Sequence, residues 1–251
     1  MRDPVRRNGS SDPIPVRAVR TRAALSAAFV LAAFLAGTAG AAPAEPPVVV
    51  ELFTSQGCSS CPPANATLSI LADRPDVLAL SFGVTYWDDL GWKDTFASPQ
   101  FTARQWSYAR GLHHDDVATP QMVVQGRADT VGQTPSEVEP LIRAAKADLK
   151  AEPSIVFRGE HVTIAAAAAR RPADVWLVRY DPRTVQVPVR RGENGGRTLP
   201  HRDVVRELTR LGAWNGSAAT FSFSRSADPA LRTAVLVQAA AGGPILAAAK
   251  G

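Results

Sequence analysis

Cys58 and Cys61 are the only cysteines in this chain of 251 residues, and two serines separate them. A Cys-x-x-Cys pair can alternate between a dithiol and a disulfide, because its spacing brings both sulfurs within bonding reach. The same pair can instead be a purely structural disulfide or one half of a zinc site. Because no second Cys-x-x-Cys or well-spaced histidine pair is present, redox chemistry and a structural disulfide are the main alternatives.

The residues around the pair predict a strand, a turn and a helix. Val48–Phe53 is apolar except for Glu51, which is typical of a strand buried on both faces. Thr54–Gly57 then predicts a turn, and Pro62 or Pro63 suits the first turn of a helix. A Cys-x-x-Cys between a strand and a helix is the arrangement found in the thioredoxin fold.

This placement predicts different roles for the two cysteines. At the start of a helix, the dipole and the free N–H groups stabilise a thiolate, so Cys58 is expected to be the exposed nucleophile with a lowered pKa. Cys61, one turn into the helix, is expected to resolve the mixed disulfide. Ser59 and Ser60 can donate hydrogen bonds to the Cys58 sulfur.

A proline directly before an apolar strand is the second candidate feature. In thioredoxin-like domains a cis proline lies opposite the Cys-x-x-Cys, just before the third strand. Thr119-Pro120 precedes the strand-like residues Met122–Val124, so we expect a cis Thr119–Pro120 peptide bond beside Cys58. The alternative is a trans proline at the start of an edge strand.

Glu51 is a charged residue within an otherwise apolar strand. Burial would raise the pKa of its carboxyl group, and a carboxylate there could accept a proton from Cys61 during thiol exchange. The alternative is a carboxylate paired with an arginine. The sequence does not distinguish these two roles.

The N-terminal residues predict export. Arg17, Arg20 and Arg22 precede an apolar run, Ala23–Ala36, and small residues follow it. This pattern is typical of a secretory signal peptide, here residues 1–41 with cleavage after Ala41. An uncleaved signal anchor is the alternative. Export predicts a periplasmic or secreted protein, in a compartment where a disulfide can persist.

Most of the positive charge belongs to that leader. The formal net charge is +5, but residues 1–22 hold six arginines against two aspartates. From residue 42 onward there are 22 basic and 21 acidic residues. A nearly neutral mature chain does not predict nucleic-acid binding, and no further apolar stretch approaches the length of a membrane span.

Residues 42–150 predict a thioredoxin-like α/β domain with the order strand, helix, strand, helix, hairpin, helix. The further elements are a strand at Val77–Val84, a helix containing Phe101–Leu112, a hairpin turn at Gly126–Asp129 and a helix capped by Thr134 or Ser136.

Residues 151–251 predict an appended, mostly antiparallel β domain, because short strand-like runs alternate with turns. One helix is expected at Arg202–Leu211. The Gly-rich segment Gly192–His201 predicts either a functional loop facing the first domain or a plain hairpin turn. The two halves of the mature chain carry opposite net charge, with 8 basic and 13 acidic residues in 42–150 and 14 basic and 8 acidic residues in 151–251. Such charges favour packing of one half on the other.

His113-His114-Asp115-Asp116 raises the question of a metal site. Adjacent histidines on a loop point in different directions, so an exposed polar loop is the simpler interpretation. A copper-handling protein that uses both cysteines and His113 or His114 is a further alternative.

The chain resembles a family of secreted thioredoxin-like proteins known only as a domain of unknown function. The similar segments are Glu51–Ala64, Tyr86–Asp94, Phe101–Gln105, Thr119–Val123, Arg179–Pro182 and Gly192–Leu199. The resemblance implies a thioredoxin-like fold with an extra C-terminal β part, and it implies no activity. Unlike classical thioredoxins, the chain has no tryptophan before Cys58, Ser-Ser between the cysteines and a longer spacing from Glu51 to Cys58.

These observations predict an exported thiol–disulfide oxidoreductase-like protein. Its predicted site residues are Cys58, Cys61, Thr119, Pro120 and Glu51. Neither a metal nor an organic cofactor is required, and the expected partners are exported proteins or small-molecule thiols and disulfides. The alternative from another class is a non-catalytic binding protein with a structural disulfide.

Overall fold

The structure is a computed structural model that describes residues 12–14, 45–149, 153–169 and 172–251. The predicted signal peptide, residues 1–41, lies outside this part apart from residues 12–14. Within the described ranges, every helix is too short or too polar to cross a lipid bilayer.

The described part contains three helices and thirteen strands. In chain order they are β1 (Val48–Thr54), α1 (Cys61–Leu71), β2 (Val77–Gly83), α2 (Pro99–Leu112), β3 (Gln121–Val124), β4 (Ala128–Thr130), α3 (Pro135–Asp148), β5 (Ile155–Arg158), β6 (His161–Ile164), β7 (Ala173–Asp181), β8 (Val185–Pro188), β9 (Thr198–His201), β10 (Val204–Trp214), β11 (Ala219–Ser222), β12 (Arg232–Ala239) and β13 (Ile245–Lys250).

An eight-stranded mixed sheet, in the order β13-β12-β7-β10-β2-β1-β3-β4, organises the fold. β1 is parallel to β2 and antiparallel to β3. β10 joins the sheet through a parallel bridge from Val204 to Ser81 and pairs antiparallel with β7 along most of its length. Strands from both sides of residue 150 therefore share one sheet in a mixed α/β fold. The division into domains at residues 150 and 151 stays a prediction.

β1 is buried on both faces, as its apolar sequence predicts. Val48, Val50 and Leu52 pack with apolar residues of α1 and α3 on one face of the sheet. Val49 and Phe53 pack on the other face with α2 and with strands of the C-terminal half. Side chains alternate along a strand, so Glu51 shares the face of Val49 and Phe53.

The helix expected at Arg202–Leu211 is wrong, since this segment is the first part of β10. The register shifts at two places in the pairing with β7, between Val205 and Glu207 and between Arg210 and Gly212. Each irregularity breaks the strict alternation of a strand. Val204, Val205 and Leu208 are consequently buried at a spacing that resembles one face of a helix.

Candidate functional site

Cys58 lies between β1 and α1 and forms a disulfide with Cys61, the first residue of α1, with a Cα–Cα distance of 5.4 Å. We call residues 55–60 the cysteine turn. The Cys58 N–H donates to the Ser55 carbonyl at 3.2 Å, and the Cys61 N–H donates to the Cys58 carbonyl at 3.2 Å. α1 begins at Cys61, so Cys58 lies one turn before the helix rather than at its start, where the sequence placed it.

The expectation that Cys58 is exposed is also wrong, because both cysteines have 0% of their surface exposed. The Cys58 Sγ lies 3.3 Å from the Ser60 hydroxyl, which can donate to it as predicted. It also lies 3.8 Å from the carbonyl oxygen of Thr119. Three segments distant in sequence contact the cysteine turn.

The first of these segments contains Thr119 and Pro120. The peptide bond between them is cis, which confirms the predicted geometry. Pro120 leads directly into β3, which pairs with β1 beside the cysteine turn. The Thr119 hydroxyl accepts a hydrogen bond from the Trp87 Nε1–H at 2.7 Å. The structure thus brings together four of the five predicted site residues, Cys58, Cys61, Thr119 and Pro120.

The second segment follows β2 and holds the backbone before Cys58. The Asp94 carboxylate accepts from the N–H groups of Gln56 and Phe96, both at 2.7 Å. The Gln56 side-chain oxygen accepts from the Trp92 Nε1–H at 2.9 Å. Burial raises the pKa of Asp94 to about 6, and the N–H donors from Gln56 and Phe96 oppose that rise. Asp94 therefore positions the cysteine turn from a largely buried site.

The third segment is the loop between β8 and β9, residues 190–197, which comes from the other half of the chain. Asn194 is fully buried. Its side-chain amide donates to the carbonyl oxygens of Gln56 at 3.0 Å and of Cys58 at 2.8 Å. The Arg197 guanidinium donates to the Asn194 side-chain oxygen at 2.6 Å. The loop is a hairpin connection that also contacts the cysteine turn, and a functional role for it stays a prediction.

Glu193 in the same loop binds the middle of the Cys-x-x-Cys motif. Its carboxylate accepts from the Ser59 N–H at 3.0 Å, and this hydrogen bond lowers the pKa of Glu193. Three residues of the cysteine turn, Gln56, Cys58 and Ser59, are therefore bonded through their backbones to one distant loop.

Gln56, Asp94 and Asn194 are the contacting residues that sequence reasoning did not single out. Each belongs to a segment that carries the family resemblance, which was the available signal. Nothing in that signal says which residue of each segment points towards the cysteines.

Glu51 lies away from α1, the helix that begins at Cys61. Its carboxylate accepts two hydrogen bonds of 2.7 Å from Arg104 and one of 3.1 Å from the Tyr108 hydroxyl. The side chains of the Glu51–Arg104 pair are 1% and 5% exposed. Since Glu51 faces α2 while α1 packs on the opposite face, the geometry favours the arginine-paired alternative. Its role as proton acceptor for Cys61 stays a prediction.

The histidines lie beside the site. His113 ends α2 in a left-handed conformation, and the Nε2 of His114 lies 3.0 Å from an Asp129 carboxylate oxygen. They line an open groove of about 620 Å³ that also borders Pro120. Within the described ranges, no group of three or more His, Cys, Asp or Glu side chains is arranged to hold a metal ion.

Comparison with known proteins gives a family and two similar structures. The model of a family described as "protein of unknown function (DUF1223)" matches residues 49–238. A crystal structure of protein AGR_C_4864 from Agrobacterium tumefaciens is 32% identical, with a TM-score of 0.67 over 83% of this chain and 95% of that one. HBP35 of Porphyromonas gingivalis is 15% identical, with a TM-score of 0.53 over 82% of this chain and 75% of that one, which is a likeness of fold alone.

A comparison with curated proteins gave no match. The family match spans well over half of the chain and contains the cysteine turn, the Thr119–Pro120 segment and the 190–197 loop. The chain belongs to the family of proteins of unknown function DUF1223.

Proposed function

We propose that this protein is an exported thiol–disulfide exchange protein whose first half is thioredoxin-like. The order β1-α1-β2-α2-β3-β4-α3 supports the fold assignment, since it places Cys58 and Cys61 between the first strand and the first helix. The parallel β1–β2 pair and the antiparallel β3 next to β1 support it further.

A single observation carries the proposal. The Cys58 Sγ lies 3.8 Å from the Thr119 carbonyl oxygen, immediately before the cis Pro120. A purely structural disulfide has no need for such a neighbour. A thiol that exchanges with a polypeptide benefits from nearby backbone groups that can bind the chain on either side of the partner's cysteine.

The reaction requires only thiols and disulfides. In the reducing direction, the Cys58 thiolate attacks one sulfur of a partner disulfide, forms a mixed disulfide and releases the other partner sulfur as a thiolate. The Cys61 thiolate then attacks the Cys58 sulfur, closes the Cys58–Cys61 bond and releases the second partner thiolate. The partner gains two electrons and this protein loses two. The oxidising direction is the reverse, with a partner dithiol as the electron donor.

Trapping the mixed disulfide tests the proposal. With Cys61→Ser, Cys58 cannot be resolved, so incubation with glutathione disulfide should give a stable mixed disulfide detectable by mass spectrometry. The matched control is Cys58→Ser, in which the remaining thiol should react much more slowly. Equal and slow reaction of both variants with glutathione disulfide and also with an oxidised, unfolded polypeptide, disulfide-scrambled ribonuclease A, would refute the proposal.

The complete burial of both sulfurs favours a second candidate function, a binding protein with a structural disulfide. The reduction potential of the pair separates the two functions. A value near about −120 mV indicates an oxidant, a value near about −270 mV a reductant, and a value well below about −300 mV a structural bond.

A further inference from the structure

The disulfide is inaccessible in the observed conformation, and the 190–197 loop binds the backbone of the turn that contains Cys58. Cys58 and Cys61 are both 0% exposed, whereas an attacking thiolate must reach one sulfur directly to form a mixed disulfide. Some part of the surroundings must therefore move before exchange can occur.

Two of the three surrounding segments are firmly held. Thr119 and Pro120 lead directly into β3, a strand inside the eight-stranded sheet. Trp87 packs against the main hydrophobic core and is bonded to Thr119. Asp94 is 4% exposed and is bound to the backbone of Gln56 and Phe96.

The 190–197 loop is anchored at its two ends and at Asn194. Its ends are fixed, because Val189 and Leu199 are buried with Trp92 in a small apolar cluster. Between them, Asn194 is the one buried residue of the loop. Gly192 and Gly196 have φ values of 76° and 82°, and the space beside Gly196 is open. Glycine adopts such backbone conformations without the strain that a side chain brings.

The contacts that close the loop have the chemistry of a peptide group. Asn194 supplies an amide donor to the carbonyl oxygens of Gln56 and Cys58. Glu193 supplies an oxygen acceptor to the Ser59 N–H. An extended polypeptide offers the same two groups, an N–H donor and a carbonyl acceptor, along its backbone. A molecule that displaces the loop must replace these hydrogen bonds or leave the groups unsatisfied.

We propose that the 190–197 loop is a gate that determines which thiols reach Cys58, and that the partner that opens it is a polypeptide segment. The polypeptide partner in this inference rests on the proposed exchange function. The closed position of the loop depends only on the contacts within the fold. Asn194 and Glu193 are specificity-determining residues in this arrangement. A small thiol such as 2-mercaptoethanol carries one hydroxyl group and no backbone N–H or carbonyl group, so it cannot replace the three contacts together and reacts only when the loop opens spontaneously.

The test measures the rate at which the disulfide of the oxidised full chain is reduced, by acid quenching, alkylation and mass spectrometry. The first probe is 2-mercaptoethanol. Two of its thiolates react in turn, the first releasing Cys61 and the second releasing Cys58, with formation of the oxidised 2-mercaptoethanol disulfide. Loss of both Asn194 hydrogen bonds in Asn194→Ala should accelerate this reaction about tenfold or more. Glu193→Gln should accelerate it about twofold, because a single exposed contact is weakened.

Arg191→Gln is the matched control, since Arg191 is an exposed residue of the same loop that makes none of these contacts, and its rate should equal that of the wild type. Asn194→Asp is a second, isosteric variant. It removes the donor and places a carboxylate against two carbonyl oxygens, so it should also accelerate reduction. Wild-type rates in both Asn194 variants, with cooperative urea unfolding retained, would overturn the gate.

The second probe is reduced, unfolded ribonuclease A, compared with 2-mercaptoethanol per unit of thiolate. The disulfide of the wild type should be reduced faster by the polypeptide thiol than by 2-mercaptoethanol. Asn194→Ala should lose most of this difference, because the substitution accelerates reduction by 2-mercaptoethanol more than reduction by ribonuclease A. A wild type without preference overturns the polypeptide partner. If no variant reacts with ribonuclease A while Asn194→Ala still reacts faster with 2-mercaptoethanol, the proposed exchange function fails and the gate stands.

Discussion

Removal of the Cys58–Cys61 disulfide tests whether this bond is needed for stability or for chemistry. The bond joins residues that are only three apart in sequence. The perturbation is the double substitution Cys58→Ala and Cys61→Ala, which avoids placing two hydroxyl groups in a fully buried site. The structure allows the expected loss of stability to be estimated.

A disulfide stabilises a fold mainly by limiting the conformations of the unfolded chain, and the effect grows with the length of the closed loop. For a loop of four residues the chain-entropy relation gives about 2 kcal/mol. Removal of the sulfur atoms also removes a small amount of buried apolar surface, which lowers the stability further by on the order of 1 kcal/mol. We therefore expect the double variant to lose about 2–3 kcal/mol, a minority of the roughly 5–15 kcal/mol typical of folded domains.

The measurement is urea unfolding of the oxidised wild type, the reduced wild type and the double variant, compared at equal m-values. The double variant should fold cooperatively and resemble the reduced wild type, while its exchange with thiols is abolished. A loss above about 5 kcal/mol, or failure to fold, would contradict the small-loop argument. Such a result would favour the structural disulfide over the redox pair.

Two further predictions concern buried ionisable groups. Glu51→Gln leaves the Arg104 guanidinium without its charged partner and should cost about 3–5 kcal/mol in urea unfolding, whereas the double variant Glu51→Leu with Arg104→Met should be nearly neutral. If Glu51→Gln loses less than about 1 kcal/mol of stability and its thiol–disulfide exchange is slower, the result would instead support Glu51 as the proton acceptor for Cys61. Burial lowers the pKa of His201 to about 4 in the folded chain, whereas the ordinary pKa of histidine is 6.5. Between these two pH values the unfolded chain binds a proton at His201 and the folded chain does not, so a falling pH destabilises the fold. The wild type should therefore lose up to about 3 kcal/mol, relative to His201→Gln, as the pH falls from about 6.5 to 4, and parallel stability profiles would contradict this.

Local sequence predicted the parts of the site that depend on neighbouring residues. The apolar run of β1, the prolines after Cys61 and the proline ahead of β3 each limit the backbone directly. Cys58, Cys61 and the cis Thr119–Pro120 bond are accordingly found together.

The burial of Cys58 depends on contacts that no local pattern contains. Glu193 and Asn194 reach the cysteine turn across sequence separations of 134 and 136 residues. A Gly-rich loop in the sequence specifies a flexible backbone, but its position is set by where β8 and β9 attach. The same limit explains the error at Arg202–Leu211, because the irregular pairing with β7 is a tertiary property.

The dependence of the site on the C-terminal half follows from the same contacts. The carbonyl of Cys58 accepts from the Cys61 N–H within the turn, and the buried amide of Asn194 supplies a second donor from the C-terminal half. β10 meets β2 at Val204 and Ser81, and the separate two-stranded sheet of β8 and β9, which carries the 190–197 loop, directly precedes β10 in the chain. Contacts that only joined the two halves could lie anywhere along the sheet they share, yet the fully buried Asn194 lies against the backbone of the cysteine turn. This placement supports the proposal that the 190–197 loop controls access to Cys58.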